Sequence, residues 1–374
     1  MEAFGSKFRQ YATGYVNFVY FCILMEPSFR TYVSLKPLSW LYSGITGFRN
    51  KLYDCGWKKT VRFDIPVISV GNITVGGTGK TPHTEYLVSL IKERAHTAVL
   101  SRGYGRSTSG YLLAGSTSSD SRLIGDEPFQ IYSRFPDICV AVCEDRVKGV
   151  RRLLEETDTE AVILDDAFQH RSISPSLNIL LTDWNRLLLK DCVMPAGHLR
   201  ESAHGRRRAD IIIVTKCPDT LSAADMESLS SRLAARPEQK VFFSCFTYGL
   251  PYRLTDGSPM ESDDAPVLAL TGIAQPQPLV RKLESDGRRV KLLAYPDHHS
   301  YSKRDLKAIE TELDRLGPDA KVVTTQKDAA RLHSTELPGQ FASRIYVLPV
   351  SVRFLKDGPA FDSIVTDHLE SFKK

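Results

Sequence analysis

Residues 74–81 read Thr74-Val75-Gly76-Gly77-Thr78-Gly79-Lys80-Thr81 and sit between an apolar, β-branched run (Val67 to Val70) and a helical pattern reaching Leu90. Glycines let successive backbone N–H groups turn inward on an anion, and a helix N-terminus adds its dipole. Lys80 is then placed to reach the β- and γ-phosphates of a nucleotide, and Thr81 to offer its hydroxyl to Mg²⁺. Thr74 stands where the P-loop pattern has its first glycine, so Gly76 and Gly77 must supply the flexibility. An ordinary Gly-rich turn is the bland alternative. Placement between a strand and a helix favours nucleotide phosphate.

Carboxylates supply the second kind of chemistry. Asp165-Asp166 ends an apolar segment, as a Walker-B acid does when it holds Mg²⁺ directly or through water. A simple acidic turn would look the same. Asp126, in Gly125-Asp126-Glu127-Pro128, is a candidate general base for a hydroxyl. A lone carboxylate is a weak base near neutrality, and His298, in Asp297-His298-His299, is the attractive partner to tune it or relay the proton. Taken singly, Asp126 reads equally as a helix cap and His298 as a structural residue. The pair is expected to meet only across an interdomain cleft. Four arginines and two histidines (His198, Arg200, His204, Arg206, Arg207, Arg208) crowd residues 195–208, which suggests anion recognition or a solvated basic turn.

These residues need a frame that gathers them. Short apolar segments at 67–70, 97–101, 137–142, 160–166, 177–183 and 210–216 alternate with helical patterns, which implies a doubly wound, mainly parallel sheet. Working residues in such sheets collect at the strands' carboxyl ends, and each motif above stands at one. Composition shifts after Glu238, and a new β-α pattern opens at Val267. We therefore expect a P-loop domain over residues 61–240 and a smaller α/β domain over 241–374 that closes over the active site. Ahead of them come an extension, 1–35, and an amphipathic segment, 36–60. Leu38, Leu41, Ile45, Phe48 and Leu52 draw one helical stripe, flanked by Trp40, Tyr42, Tyr53, Arg49, Lys51, Lys58 and Lys59. That composition suits a helix lying in a bilayer surface, or one packing its stripe on its own domain. The apolar run 11–25 is short for a membrane span and lacks a signal-type cleavage site.

Bulk properties narrow the class. The chain has 374 residues, 42% hydrophobic and 25% charged, enough for two domains of ordinary size. Net charge is +5, and residues 1–60, with eight Lys and Arg against three acids, account for all of it. A basic, aromatic N-terminus suits an anionic membrane surface, and neutrality elsewhere argues against a nucleic-acid partner. Seven scattered cysteines without a Cys-x-x-Cys suggest neither a disulfide framework nor a zinc site, and fit a reducing cytosol. Two rival P-loop classes are weakened. ParA-like ATPases carry Lys where Val75 stands, and a guanine-reading Thr/Asn-Lys-x-Asp would need Asp where Thr215-Lys216-Cys217-Pro218 has proline.

The motifs together resemble the tetraacyldisaccharide 4'-kinase family. The resemblance rests on Val70 to Pro82, Ser101-Arg102-Gly103-Tyr104-Gly105, Gly125 to Pro128, Asp165-Asp166-Ala167-Phe168-Gln169-His170, Pro195-Ala196-Gly197, Asp297-His298 and Thr325-Gln326-Lys327-Asp328-Ala329, in family order over residues 36–350. Thr74 is shared by that family. The resemblance implies a P-loop-like kinase using ATP and Mg²⁺, with the nucleotide at 74–81 and the metal at Thr81, Asp165 and Asp166. It implies transfer to the 4'-hydroxyl of a tetraacylated glucosamine disaccharide 1-phosphate, giving lipid IVA in lipopolysaccharide biosynthesis. Asp126 matches the catalytic Asp and His298 its partner, while Lys80 would act in catalysis by stabilising phosphate charge. Glu127, Arg146, His170 and Arg200 would line the substrate site. A peripheral enzyme on the cytoplasmic face of the bacterial inner membrane, with no obligate protein partner, follows from the same resemblance. Ala167 (often Gly) and His299 (often Gln) depart from it. The runner-up is a P-loop ATPase coupling hydrolysis to a protein partner at the membrane.

Overall fold

The computed structural model describes residues 29–115, 120–333 and 337–373. The run 11–25, and most of the 1–35 extension, lie outside them. In chain order come helix α1 (Phe29–Asp54), β1 (Val67–Asn72), α2 (Lys80–Ile91), β2 (Thr97–Ser101), β3 (Leu112–Leu113), α3 (Ser121–Ile124), α4 (Asp126–Arg134), β4 (Cys139–Val142), α5 (Arg146–Glu156) and β5 (Ala161–Asp165). Next are β6 (Leu177–Asp183), β7 (Ile211–Thr215), α6 (Ala223–Leu233), β8 (Lys240–Tyr248), β9 (Tyr252–Arg253), β10 (Val267–Thr271), α7 (Gln277–Ser285) and β11 (Val290–Ala294). The chain finishes with α8 (Lys303–Leu316), β12 (Lys321–Thr325), α9 (Gln326–His333), α10 (Gly339–Ala342), β13 (Ile345–Leu348), β14 (Val350–Phe354) and α11 (Gly358–Glu370). The short β3, β9 and β14 and the C-terminal α11 are elements that the sequence pattern did not single out.

Two compact units emerge, and neither is a continuous stretch. One holds residues up to 63, 68–80 and 166–244; the other holds 64–67, 81–165 and 245–374.

In the first unit, strands run in the order β8–β7–β6–β1, with every described pairing parallel. All residues of β1, β6 and β7 are buried, so these strands read as unbroken apolar runs and not as alternating ones. Helix α1 belongs to this unit and docks by its polar side. The Ser39 hydroxyl accepts from the Ala196 amide at 2.9 Å, and the Tyr42 hydroxyl donates to the Arg200 carbonyl at 3.1 Å. Leu41, Ile45 and Phe48, from the apolar stripe, are 63%, 61% and 66% exposed. The stripe therefore does not pack on its own domain. Among the described residues no helix is long and apolar enough to cross a membrane.

The second unit contains two sets of strands. One runs β5–β2–β4–β3, parallel except for β3. The other runs β11–β10–β12–β13–β9, parallel except for β9. Leu268, Leu270, Val322 and Ile345 from this second sheet close over Leu306, Ile309 and Leu313, the i, i+3, i+7 face of α8. A reciprocal Ser302–Asp305 capping box starts α8.

Candidate active site

The Gly-rich loop follows β1 and opens α2. Gly76, at φ +100°, holds a left-handed turn in which a side chain would be strained, and a Cβ there would also meet Arg186 Nη2 at 3.0 Å. Thr78 is locked from both sides: its hydroxyl meets Asn72 Nδ2 at 2.6 Å, and its carbonyl accepts from the Thr215 hydroxyl at 2.9 Å. Lys216 ties Gly77 to Asp183, donating to the Gly77 carbonyl and pairing with the Asp183 carboxylate at 2.7 Å. Pro218, which removes the guanine-reading motif, thus leaves a Lys that braces the loop. Gly76 and Gly77 remain exposed, while Thr74, Val75 and Thr78 are buried. The Thr74 hydroxyl is buried without a hydrogen-bond partner. A buried orphan hydroxyl is costly, and a phosphate oxygen would satisfy it.

Lys80 lies at the first position of α2, its ammonium 3.7 Å from Asp166 Oδ2. Arg200 Nη1 reaches both Asp166 oxygens at 3.1 Å. Asp166 turns off β5 at φ +48°, a strained conformation of the kind that collects at functional sites. Its amide donates to the Val70 carbonyl at 2.9 Å, which registers Asp166 against β1. Asp165 is fully buried and receives the Ser101 hydroxyl at 3.3 Å, and Thr81 is 3% exposed. No cluster of three His, Cys or acidic side chains forms a metal cage among the described residues. Mg²⁺ does not need one, since it uses one or two carboxylates and completes its shell with water and phosphate oxygens. Thr81, Asp165 and Asp166 each carry oxygen donors of the type such a shell uses.

Asp126 and His298 meet inside the second unit, so no closure is needed to join them. Gly125 makes the first half possible: at φ +96°, with a Cβ that would stand 3.0 Å from the Tyr104 carbonyl, it lets the chain enter α4 with Asp126 and Glu127 in the first turn. Carboxylates there are favoured by the helix dipole. His298 is held at φ +60° by its amide, which donates to the Gly272 carbonyl at 3.2 Å and to Asp297 Oδ1 at 3.0 Å. Its Nδ1 then lies 3.5 Å from Asp126 Oδ2. Burial pushes the Asp126 carboxyl up, but the His298 hydrogen bond and the Arg331 charge outweigh it and hold the carboxyl below its ordinary value.

Arg331 was not among the residues singled out from sequence. It lies two positions beyond the Thr325–Ala329 motif, on α9, and donates from Nε to Asp126 Oδ2 at 2.7 Å. One turn earlier Lys327 pairs with Glu127. The usable signal was the i, i+4 spacing of Lys327 and Arg331 on a helix that opens with a Thr-x-x-Asp cap.

Two expected site-lining residues need qualification. Arg146 is 1% exposed and its guanidinium donates to the carbonyls of Cys143 at 2.8 Å and Asp165 at 3.1 Å. It joins the ends of β4 and β5 and does not line an opening. The basic loop is likewise mostly committed: Arg200 to Asp166, Arg206 to the carbonyls of Leu233 and Ala203, and Arg208 to Glu201 at 2.7 Å. Arg207 is exposed. His170, half-buried, follows the Asp pair in a turn in which its amide donates to the Ala167 carbonyl at 2.8 Å.

Strand, Gly-rich loop, helix N-terminus and an acid pair at a parallel strand's end define a P-loop-type α/β protein of the phosphoryl-transfer class. The family model for tetraacyldisaccharide-1-P 4'-kinase (LpxK) matches residues 31–370. A tetraacyldisaccharide 4'-kinase from Bacteroides fragilis strain YCH46 is 46% identical over 345 residues, covering 89% of this chain and 91% of the relative. One from Phocaeicola vulgatus is 44% identical over 347 residues, covering 90% and 94%. A crystal structure of LpxK from Aquifex aeolicus, an "apo" form in complex with ATP, superposes with TM-score 0.72 at 30% identity, covering 90% of this chain and 99% of that one. The chain belongs to the tetraacyldisaccharide 4'-kinase family.

Proposed function

We propose that this protein transfers the γ-phosphate of ATP to the 4'-hydroxyl of a tetraacylated glucosamine disaccharide 1-phosphate, yielding lipid IVA, and that it works as a peripheral protein on the cytoplasmic face of the inner membrane. The observation that carries the reading is the Asp126–His298 contact at 3.5 Å, in a chain whose family is named for this phosphorylation.

Residues 74–81 cradle the nucleotide phosphates, with the Thr74 hydroxyl and the loop N–H groups as donors. Lys80 neutralises charge on the transferred group. Thr81, Asp165 and Asp166 would hold Mg²⁺, which supplies further neutralisation of the phosphate oxygens when bound. Asp126, steadied by His298, takes the hydroxyl proton as the new P–O bond forms and the electron pair of the broken bond leaves with ADP. Arg200 and His170, near Asp166, and Glu127, next to Asp126, would serve the substrate. The exposed Leu41, Ile45 and Phe48 enter the membrane surface, where the lipid substrate resides.

The test is transfer of radiolabelled γ-phosphate by the purified full chain, with and without the lipid disaccharide. Turnover should require the lipid and Mg²⁺. Lys80→Ala, Asp126→Asn and His298→Ala should each lower kcat by about 10²-fold or more. Robust ATP hydrolysis without lipid would favour an ATPase coupled to a partner, and wild-type rates for Asp126→Asn or His298→Ala would remove the proposed base.

A further inference from the structure

Among the described residues, the hydrogen bond and the ion pair made to the Asp126 carboxylate fall on one oxygen. Arg331 Nε and His298 Nδ1 both address Oδ2, at 2.7 and 3.5 Å, and among the described residues nothing bonds to Oδ1. The Asp126 side chain keeps 22% of its surface exposed. The carboxylate is therefore gripped on one edge and left open on the other.

The grip is rigid because Arg331 cannot move. It is 5% exposed, and two of its three guanidinium nitrogens, Nε and Nη1, are committed to hydrogen bonds. Nη1 donates to the Gly272 carbonyl at 2.6 Å and to Asp328 Oδ1 at 2.9 Å, and Nη2 lies 3.4 Å from His298 Nδ1. Asp328, fully buried, balances the charge. It is itself fixed by the Tyr301 hydroxyl at 3.2 Å and the Thr325 hydroxyl at 2.8 Å. Gly272 leaves room for the assembly, since a Cβ there would stand 3.0 Å from Asp328 Oδ1 and 3.3 Å from Arg331 Nη1. A planar, permanently charged fork is the side chain suited to addressing two carboxylates and a carbonyl at fixed angles.

We propose that Arg331 is a positioning residue for phosphoryl transfer: by holding Oδ2 it fixes the rotamer of Asp126 and turns Oδ1 outward as the atom that takes the proton from the acceptor hydroxyl. The O–H bond of the acceptor breaks, its proton goes to Oδ1, its oxygen bonds to the γ-phosphorus, and the bridging P–O electron pair leaves with ADP. This inference rests on the reading of Asp126 as the base. Arg331 does not touch the substrate; it sets the rotamer and charge of the group that does.

The test uses full-length protein. Arg331→Met alone would strand the buried Asp328 charge and threaten the fold, so the informative variant is Arg331→Met with Asp328→Asn, which removes both charges. It should melt near the wild type, keep the KM for ATP within about twofold, and lose about 10- to 100-fold in kcat. The acid limb of its kcat–pH profile should move toward neutrality. The groups facing Asp126 are Arg331 and Asp328 from α9 and His298 and Asp297 from the loop after β11, with the Tyr104 ring beside His298 and the Glu127–Lys327 pair adjacent. Of these, Arg331 is the cation nearest the carboxylate. Arg331→Lys keeps the charge without the fork, and should retain the ATP KM with an intermediate kcat. A folded double variant with wild-type kcat and an unmoved acid limb would show Arg331 to be a structural strut and overturn the proposal. If the double variant does not fold, Arg331→Lys decides: wild-type kcat overturns the proposal, a lower kcat at constant ATP KM supports it. Asp126→Asn run alongside separates the two levels. Its inactivity beside active Arg331 variants sinks this inference alone, while its activity at the wild-type rate removes the base and the inference with it.

Discussion

Asn50 Nδ2 donates a 2.8 Å hydrogen bond to Glu201 Oε2, joining the outermost helix of the first unit to its buried polar centre. Glu201 is 1% exposed and also receives Arg208 at 2.7 Å and Gln169 Nε2 at 3.1 Å. That same Gln169 nitrogen donates at 2.8 Å to the carbonyl of Asn72, at the head of the Gly-rich loop. A buried carboxylate is tolerable when paired and hydrogen-bonded in this way. The consequence is that α1 is held by its polar side, which leaves its apolar side for something other than this domain.

The apolar stripe should therefore be separable from stability. Replacing Leu41, Ile45 and Phe48 together by serine removes side chains that bury little in the protein, so the melting temperature should stay within a degree or two. Each would forfeit about 1.5–3 kcal/mol if buried in lipid, so co-sedimentation with anionic vesicles should fall severalfold. Undiminished sedimentation would show that another surface binds the membrane. Deleting residues up to 53 is a poorer experiment, because it also removes Tyr42 and Asn50 from Arg200 and Glu201.

Gly71→Ala should damage the site from within β1. A Cβ at this position would stand 2.8 Å from Phe168 Cβ and 2.9 Å from the Phe168 amide nitrogen. Phe168 is 3% exposed and has the Arg208 guanidinium 4.6 Å over its ring, so it cannot yield cheaply. Overpacking of this kind costs about 1–3 kcal/mol. The strain falls two residues from Asp166, so kcat should drop more than the folded fraction does. A thermal melt and activity equal to wild type would contradict the close approach.

The electrostatics of Asp126 should be visible in the pH dependence of stability. Its carboxyl is held below its unfolded value of about 4. Just below that pH the unfolded chain therefore binds a proton that the folded chain refuses. The stabilisation is present above about pH 4 and is lost as pH falls through the folded pKa. In urea titrations, wild type should exceed Asp126→Asn in stability at pH 7, and the gap should narrow as pH is lowered below about 4. Other carboxylates titrate in both proteins and cancel in the difference. A gap that widens on acidification would show that the Arg331 and His298 contacts do not favour the ionised form.

Much of this was legible in the chain alone, where local pattern encodes local structure. The strand beginning at Val67, the Gly-rich turn and the helix opening at Lys80 follow as the spacing requires. The 3, 4, 3, 4 stripe specified a helix and its faces. It could not specify which face meets the protein, because that depends on whether Glu201, Arg200 and Ala196 offer partners to Asn50, Tyr42 and Ser39. Only the tertiary structure decided that the polar face docks. It also decided that Arg146 serves two backbone carbonyls, and that Arg331, 205 residues along the chain from Asp126, grips the carboxylate. Periodicity and caps are set by neighbours three or four residues apart. The atom that a charged side chain finally meets is set by which distant elements pack beside it, and by how much water that packing removes.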